Sequence, residues 1–232
     1  MMEYRYLATS VEGFVQQLAC NLLPHGYWFY VQGRVPAGKD PALIDTKLLK
    51  RYGVAISRQA RARRKQAGLA NVHYLRFGPH WILLASHGEH RFFTDEQTNL
   101  RDVRKAPIHF AGYSLTVRQG GFLLKRSADE PCTPDGKRRV RVQIGREPFR
   151  DLRASFLELA TRRSAEQLAR ELYCLPFEPY APVRRQLLKI LRLVNQRRRA
   201  AGLEEISPEV LRYRRRIVRP FEPHAPEIVL AA

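Results

Sequence analysis

Acidic residues are scarce in this chain, which also lacks the apolar segments that define membrane and secreted proteins. Its 22 aspartates and glutamates face 41 lysines and arginines over 232 residues, leaving a formal net charge of +19. No apolar run approaches the ~20 residues that a membrane span needs. The start, Met1 to Ser10, has neither the basic nor the apolar region of a signal peptide. The sequence therefore predicts a cytoplasmic protein without membrane contact.

Cysteine is also rare, and common catalytic motifs are missing. Cys20, Cys132 and Cys174 lie far apart, so their spacing fits neither a disulfide framework nor a zinc site. Cys20 and Cys174 fall in apolar helical patterns, and we expect both thiols to be buried. The chain has no GxxxxGK[ST] loop, no GxGxxG after a strand and no GxSxG elbow. These absences argue against ATP-driven and hydrolase classes, and no cofactor is expected.

The excess of basic residues is the strongest positive signal. Arginine outnumbers lysine by 33 to 8, and the planar guanidinium group suits bidentate phosphate contacts and stacking on bases. A GC-rich genome would explain that ratio, but it does not explain the shortage of carboxylates. Because a field of this sign attracts polyanions before any specific contact forms, we expect a nucleic acid as partner, with RNA slightly favoured over DNA.

Apolar periodicity predicts an α+β fold, in which a mixed or antiparallel N-terminal sheet is layered with helices and a basic helical region follows. Residues 1–147 read as strand, helix, strand and helix, followed by a basic helix and hairpins. The expected N-caps of the three helices are Ser10, Asp40 and Ser57. Gly78 and Pro79 mark the first hairpin turn.

Residues 148–232 are predicted to form a second, arginine-rich helical domain, because the apolar period becomes helical after Gly145. Three prolines within residues 175–182 predict a rigid joint between helices. A last helix is expected from Ser207 to about Arg216, and an extended tail from Pro220.

A short predicted helix with five cations and no carboxylate is the most specific local pattern. These cations are Arg58, Arg61, Arg63, Arg64 and Lys65. Solvated surface helices usually interleave carboxylates, since like charges at these spacings repel. We therefore expect these side chains to be exposed and to contact phosphate, the alternative being a helix that only aids solubility.

Two further basic groups are candidates for the same function. The C-terminal group comprises Arg197, Arg198, Arg199, Arg212, Arg214, Arg215 and Arg216, and a predicted β-ribbon carries Arg139 and Arg141. The helix macrodipole accounts for part of the first group, and a solvated strand face is the alternative for the second. Residues 148–232 carry a net charge of +7 and residues 1–147 carry +12, which suits an elongated ligand.

An aromatic run from Tyr27 to Tyr30 lies on a predicted strand, where alternate residues face opposite sides of the sheet. If Trp28 and Tyr30 pack in the core, Tyr27 and Phe29 are free to stack on unpaired bases, or the reverse. The alternative is that both faces are covered and all four rings belong to the core.

One constellation hints at catalysis. His87, Glu89 and His90 lie around a turn at Gly88 and would together hold a divalent metal, or His87 would act as a general base. Their spacing matches neither a His-hydrophobic-His pair nor HExxH. In the alternative, structural reading, the histidines cap the turn and bind the backbone.

Three functions stay open at this point. The leading hypothesis is a binding protein, an accessory component of a mobile element, a defence system or a ribonucleoprotein. The second is a metal-dependent nuclease or transposase-like enzyme that uses the turn at His87, Glu89 and His90. The third is a scaffold that binds an acidic protein partner through the same arginines.

Overall fold

The computed structural model describes residues 4–120, 123–124, 133–216 and 218–223. Cys132 and the predicted tail beyond Pro223 lie outside the described residues. The chain divides into a first unit, with the described parts of Met1–Pro107, Thr116–Val140 and Val218–Ala232, and a second unit, with those of Ile108–Leu115 and Arg141–Ile217. The predicted α+β class is confirmed. The predicted boundary after residue 147 stays a prediction.

Capping residues set the helix starts of the first unit. Its helices are α1 (Val11–Gln16), α2 (Pro41–Arg51), α3 (Arg58–Gln66) and α4 (Arg91–Asp95). The side chains of Ser10, Asp40 and Ser57 each accept a hydrogen bond from a backbone N–H in the first turn, as the sequence predicts. Beyond α1 the chain continues as a π-helical turn (Gln17–Leu22) and a 3₁₀ turn (Leu23–His25), which the apolar periodicity did not predict.

Four antiparallel strands form the sheet of the first unit. They are β1 (Phe29–Arg34), β2 (Val72–Phe77), β3 (His80–Ala85) and β4 (Arg101–Asp102), in the order β2-β3-β1-β4. β2 and β3 form the predicted hairpin, with Phe77 opposite His80. Helices α2 and α3 connect β1 to β2, and α4 connects β3 to β4. Because β3 separates β1 from β2, the connectivity is that of a split β-α-β sheet.

Both faces of this sheet are buried. On one face, Val31 and Leu83 belong to a core cluster with Tyr52, which follows α2, and Phe92 of α4. On the other face, the cross-strand neighbours Tyr30 and Leu84 are both fully buried. The sheet therefore positions α2, α3 and α4 and offers no open aromatic platform at its centre.

The remaining strands lie between Ile108 and Ile144 in the sequence. They are β5 (Ile108–Phe110), β6 (Tyr113–Gln119), β7 (Leu123–Leu124), β8 (Thr133–Pro134) and β9 (Arg138–Ile144). β5, β6 and β9 form a three-stranded sheet in that order, and β7 pairs with β8. The predicted alternation along β9 is confirmed, since Val142 and Ile144 are buried while Arg141 is exposed.

The second unit is mainly helical, with α5 (Arg146–Leu159), α6 (Ala165–Tyr173) and α7 (Ala181–Ala200). Ser164 and Gln167 form a reciprocal capping box that starts α6. No helix spans residues 174–180, as the prolines in this segment predict, and α7 begins at Ala181. The predicted rigid joint at residues 175–182 stays a prediction. In the described part of the chain, no helix combines the length and apolar content of a membrane span.

Three expectations about local structure are wrong. The N-terminal segment forms a single parallel bridge, Leu7 to Arg76, in place of a strand. The last helix is reduced to a 3₁₀ turn, Pro208–Val210, after which Leu211 is extended. Cys20 and Cys174 are both exposed, since Cys20 lies on the solvent side of the π-helical turn and Cys174 follows the end of α6.

Candidate nucleic-acid interface

Two of the five cations on α3 attach the helix to the sheet. The guanidinium group of Arg61 donates to the carbonyl oxygens of Val72, at 3.0 Å, and Val54. That of Arg64 donates to the carbonyl oxygen of Ala70 at 3.0 Å. Both side chains are half-buried, so the expectation that they are exposed is wrong. Their guanidinium groups thus satisfy backbone acceptors in the loop before α3, in the loop after α3 and at the start of β2.

A half-buried polar cluster surrounds the guanidinium group of Arg61. It lies 5.7 Å from the ring centre of Tyr4, whose hydroxyl is 3.0 Å from Nδ1 of His73. Burial, together with the smaller effect of the nearby Arg61 charge, lowers the pKa of His73 to about 3. Burial raises the pKa of Tyr4 to about 12. Neither group is poised to exchange a proton near neutral pH, so the cluster has a structural role.

The other three cations of α3 are exposed to solvent. Arg58, Arg63 and Lys65 are exposed, and no carboxylate pairs with them in the part of the chain that the structure describes. Because Arg61 and Arg64 fix the helix, these three charges are presented from a rigid element. They form the α3 cation surface, named here for Arg58, Arg63 and Lys65.

An open depression of about 770 Å³ lies beside α3, lined by Arg64 and by residues around the turn at Gly88, including Glu89, His90 and Arg91. His90 is the N-cap of α4, since its Nδ1 accepts from the backbone N–H of Phe92 at 3.0 Å. Burial lowers the pKa of His90, and the charges of Arg64 and Arg91 lower it further. The ring is therefore neutral at neutral pH.

The three candidate catalytic residues do not form a ligand set. Among the described residues, no three histidine, cysteine, aspartate or glutamate side chains converge to hold a metal ion. The His87 ring lies 6.3 Å from that of Phe29, and the backbone of Glu89 bonds to that of Gly68 and Ala70. The capping role of His90 supports the structural reading of this turn.

The candidate stacking residues Tyr27 and Phe29 are half-buried and packed against other rings. Tyr27 meets His73 edge-on, with ring centres 4.6 Å apart, and Phe29 meets Phe93 edge-on at 5.3 Å. These contacts favour the interpretation of the aromatic run as core. Trp28 differs, because the guanidinium carbons of Arg104 and Arg138 lie 4.7 and 4.5 Å from its ring centre.

The ribbon arginines lie in different settings. Arg139 forms an ion pair with Asp135, and the carboxylate lowers its availability for phosphate. Arg141 is exposed on the next position of the same strand face. Sequence alternation correctly predicts the face, but it does not detect the partner of Arg139 in the preceding turn.

Most of the C-terminal candidates stabilise the second unit. Arg198 is only 3% exposed and donates to the carbonyl oxygens of Ala160 and Arg163, each at 2.8 Å. Arg199 pairs with Glu205 at 2.8 Å. Arg197 is exposed, but its guanidinium group donates to the Leu157 carbonyl at 2.7 Å. These three arginines therefore bond to residues of the helical unit itself, whereas the sequence predicts that they form a basic surface.

A buried carboxylate organises the arginines after residue 211. Glu178 accepts from the guanidinium group of Arg212 at 3.2 Å and from the backbone N–H of Arg216 at 2.9 Å. Arg215 lies over the Tyr180 ring at 4.7 Å, while Arg214 is exposed. The contacts to Glu178 give a physical reason for the missing helix, since they hold this segment in an irregular conformation.

The structure thus sorts the predicted basic residues by their partners. Backbone carbonyls or carboxylates engage Arg61, Arg64, Arg139, Arg197, Arg198, Arg199 and Arg212. The α3 cation surface keeps its charges unpaired among the described residues. Sequence reasoning missed the Trp28 environment, because Arg104 and Arg138 are distant from Trp28 in the sequence. Comparison of the chain with protein-family models, curated proteins and solved structures found no match.

Proposed function

We propose that this chain is a nucleic-acid-binding protein that holds its ligand without turnover and contacts phosphate through the α3 cation surface. The observation that carries the proposal is that Arg58, Arg63 and Lys65, on a helix without carboxylates, have no ion-pair partner among the described residues. Phosphate oxygens can replace water around such cations without breaking an existing ion pair.

The net charge of +19 supports a polyanionic ligand, because long-range attraction grows with the charge of both partners. RNA is the preferred ligand in this proposal, since arginine planes stack on the unpaired bases that folded RNA exposes. The nuclease alternative gains no support from His87, Glu89 and His90, which do not form a ligand set in the described chain.

The test compares two triple substitutions that remove the same charge. One variant carries Arg58→Gln, Arg63→Gln and Lys65→Gln. The control carries Arg162→Gln, Arg170→Gln and Arg199→Gln, whose exposed arginines pair with glutamates. Fluorescence anisotropy with a labelled single-stranded RNA, a matched DNA and a duplex gives each Kd. The α3 variant should bind about tenfold or more weakly, because it loses up to three phosphate contacts.

The control variant should lose much less affinity, since each substituted arginine already has a carboxylate partner. Equal losses in both variants would show that net charge alone governs binding, and an unchanged Kd in the α3 variant would place the interface elsewhere. Circular dichroism verifies that both variants fold. Binding of polyglutamate as tight as that of RNA would favour the acidic-protein scaffold.

A further inference from the structure

A cleft of about 280 Å³ in the first unit contains an aromatic ring and two guanidinium groups. Its apolar walls come from Ala19, Leu23, Pro24, Val117 and Val140, and its polar part from Trp28, Arg138 and Arg139. The π-helical turn supplies Ala19, and the 3₁₀ turn supplies Leu23 and Pro24. Such π-helical segments are rare and often lie at functional sites.

The indole of Trp28 is held in a fixed orientation. Its Nε1–H donates to the Leu23 carbonyl oxygen at 3.0 Å. The guanidinium group of Arg104 lies against the ring and is itself held by Asp102, with donor to acceptor distances from 2.6 to 3.0 Å. Since the ring is positioned before any ligand arrives, stacking on it requires little ordering.

Arg138 is the residue of the cleft whose side chain can change conformation. Its guanidinium carbon lies 4.5 Å from the Trp28 ring centre, yet the side chain is exposed. No carboxylate pairs with Arg138 within the described residues, whereas the neighbouring Arg139 is paired with Asp135. Arg138 is therefore free to change rotamer and lie over a planar ligand.

We propose that this cleft binds one unpaired nucleobase, stacked against the Trp28 indole and the Arg138 guanidinium plane. The inference rests on the proposed function and deepens it, because it predicts a preference for unpaired strands. The cleft is slightly smaller than the ~300–1,000 Å³ pockets of drug-sized ligands, which suits a single flat ring. Its apolar walls and cations match a base that is linked to a phosphate.

Tryptophan fluorescence tests the inference directly. The chain has two tryptophans, so a Trp81→Phe background leaves Trp28 as the single reporter, and circular dichroism checks its fold. A 12-nucleotide single strand of uridines should quench Trp28 emission, and a strand of the same length with abasic sites should not. Affinity for the uridine strand, measured by anisotropy, should fall about fivefold or more in Arg138→Ala, a loss typical of one stacked base.

Two controls separate stacking from charge. Lys137→Ala removes the same charge at an exposed neighbour that does not line the cleft, and it should retain quenching. Arg138→Lys keeps the charge but loses the plane, and it should behave like Arg138→Ala. Restored affinity in Arg138→Lys, or tight strand binding without quenching, would overturn this inference alone. Failure of every nucleic acid to bind would overturn the proposed function as well.

Discussion

Replacing Arg61 by alanine should destabilise the protein, because the structure makes this residue an anchor for α3. The substitution removes hydrogen bonds to the carbonyl oxygens of Val54 and Val72 and a cation–π contact with Tyr4. A hydrogen bond to a charged group contributes about 1.5–3 kcal/mol. We expect a loss of about 3 kcal/mol in the free energy of unfolding, which corresponds to about 6–12 °C in Tm for a chain of this size.

Differential scanning calorimetry of the wild type, Arg61→Ala and Arg61→Lys measures this effect. Lysine keeps the charge but lacks the fork that reaches two carbonyl oxygens, so it should recover little of the lost stability. Exposed Arg63→Ala serves as the control and should change Tm by little. A normal Tm with weakened RNA binding in Arg61→Ala would contradict the anchoring role of Arg61 and would indicate that its side chain contacts phosphate.

The remaining predictions concern buried and capping groups. Burial lowers the pKa of His73 to about 3, so the unfolded chain takes up a proton first and stability falls as the pH drops below 6.5. Chemical denaturation should show a loss near 1.4 kcal/mol per pH unit, about the value of one proton, that His73→Gln removes. His90→Ala should cost about 1 kcal/mol through the lost N-cap of α4, detected as a lower Tm. When the protein is incubated with labelled RNA or DNA and with magnesium, manganese or zinc, we expect no chelator-sensitive cleavage. Cleavage that a chelator stops and that His87→Ala and Glu89→Ala abolish would establish the nuclease alternative. Arg198→Ala should lower the Tm because it leaves the Ala160 and Arg163 carbonyl oxygens unsatisfied, and an unchanged Tm would contradict its structural role.

Local chemistry explains why several elements were predictable from the sequence. Ser57 caps α3 because a serine hydroxyl satisfies a free N–H of the first turn, and that interaction needs no tertiary neighbour. Gly68 adopts a positive φ of 74° after the helix, where a side chain would be strained. The turn at Gly78 and Pro79 likewise depends only on residues that are neighbours in the sequence.

The roles of the arginines were not predictable in this way, because they depend on residues distant in the sequence. Arg198 contacts the Ala160 carbonyl, 38 positions away, and Arg212 contacts Glu178, 34 positions away. A run of basic residues looks the same in the sequence whether its guanidinium groups face solvent or bind a carbonyl oxygen. The prediction of a last helix was wrong for a related reason, since the distant residue Glu178 holds the backbone at Arg216.

The salt dependence of binding is the sharpest test of phosphate binding by the α3 cation surface, since it counts the phosphates that the protein neutralises. The measurement is the slope of log K against log salt for the wild type and for the variant that replaces Arg58, Arg63 and Lys65. Each phosphate contact contributes about 0.9 to the slope for a duplex and about 0.7 for a single strand. We expect the slope of the variant to be shallower than that of the wild type by about 2 to 3. Equal slopes in the two proteins would contradict phosphate binding by the α3 cation surface.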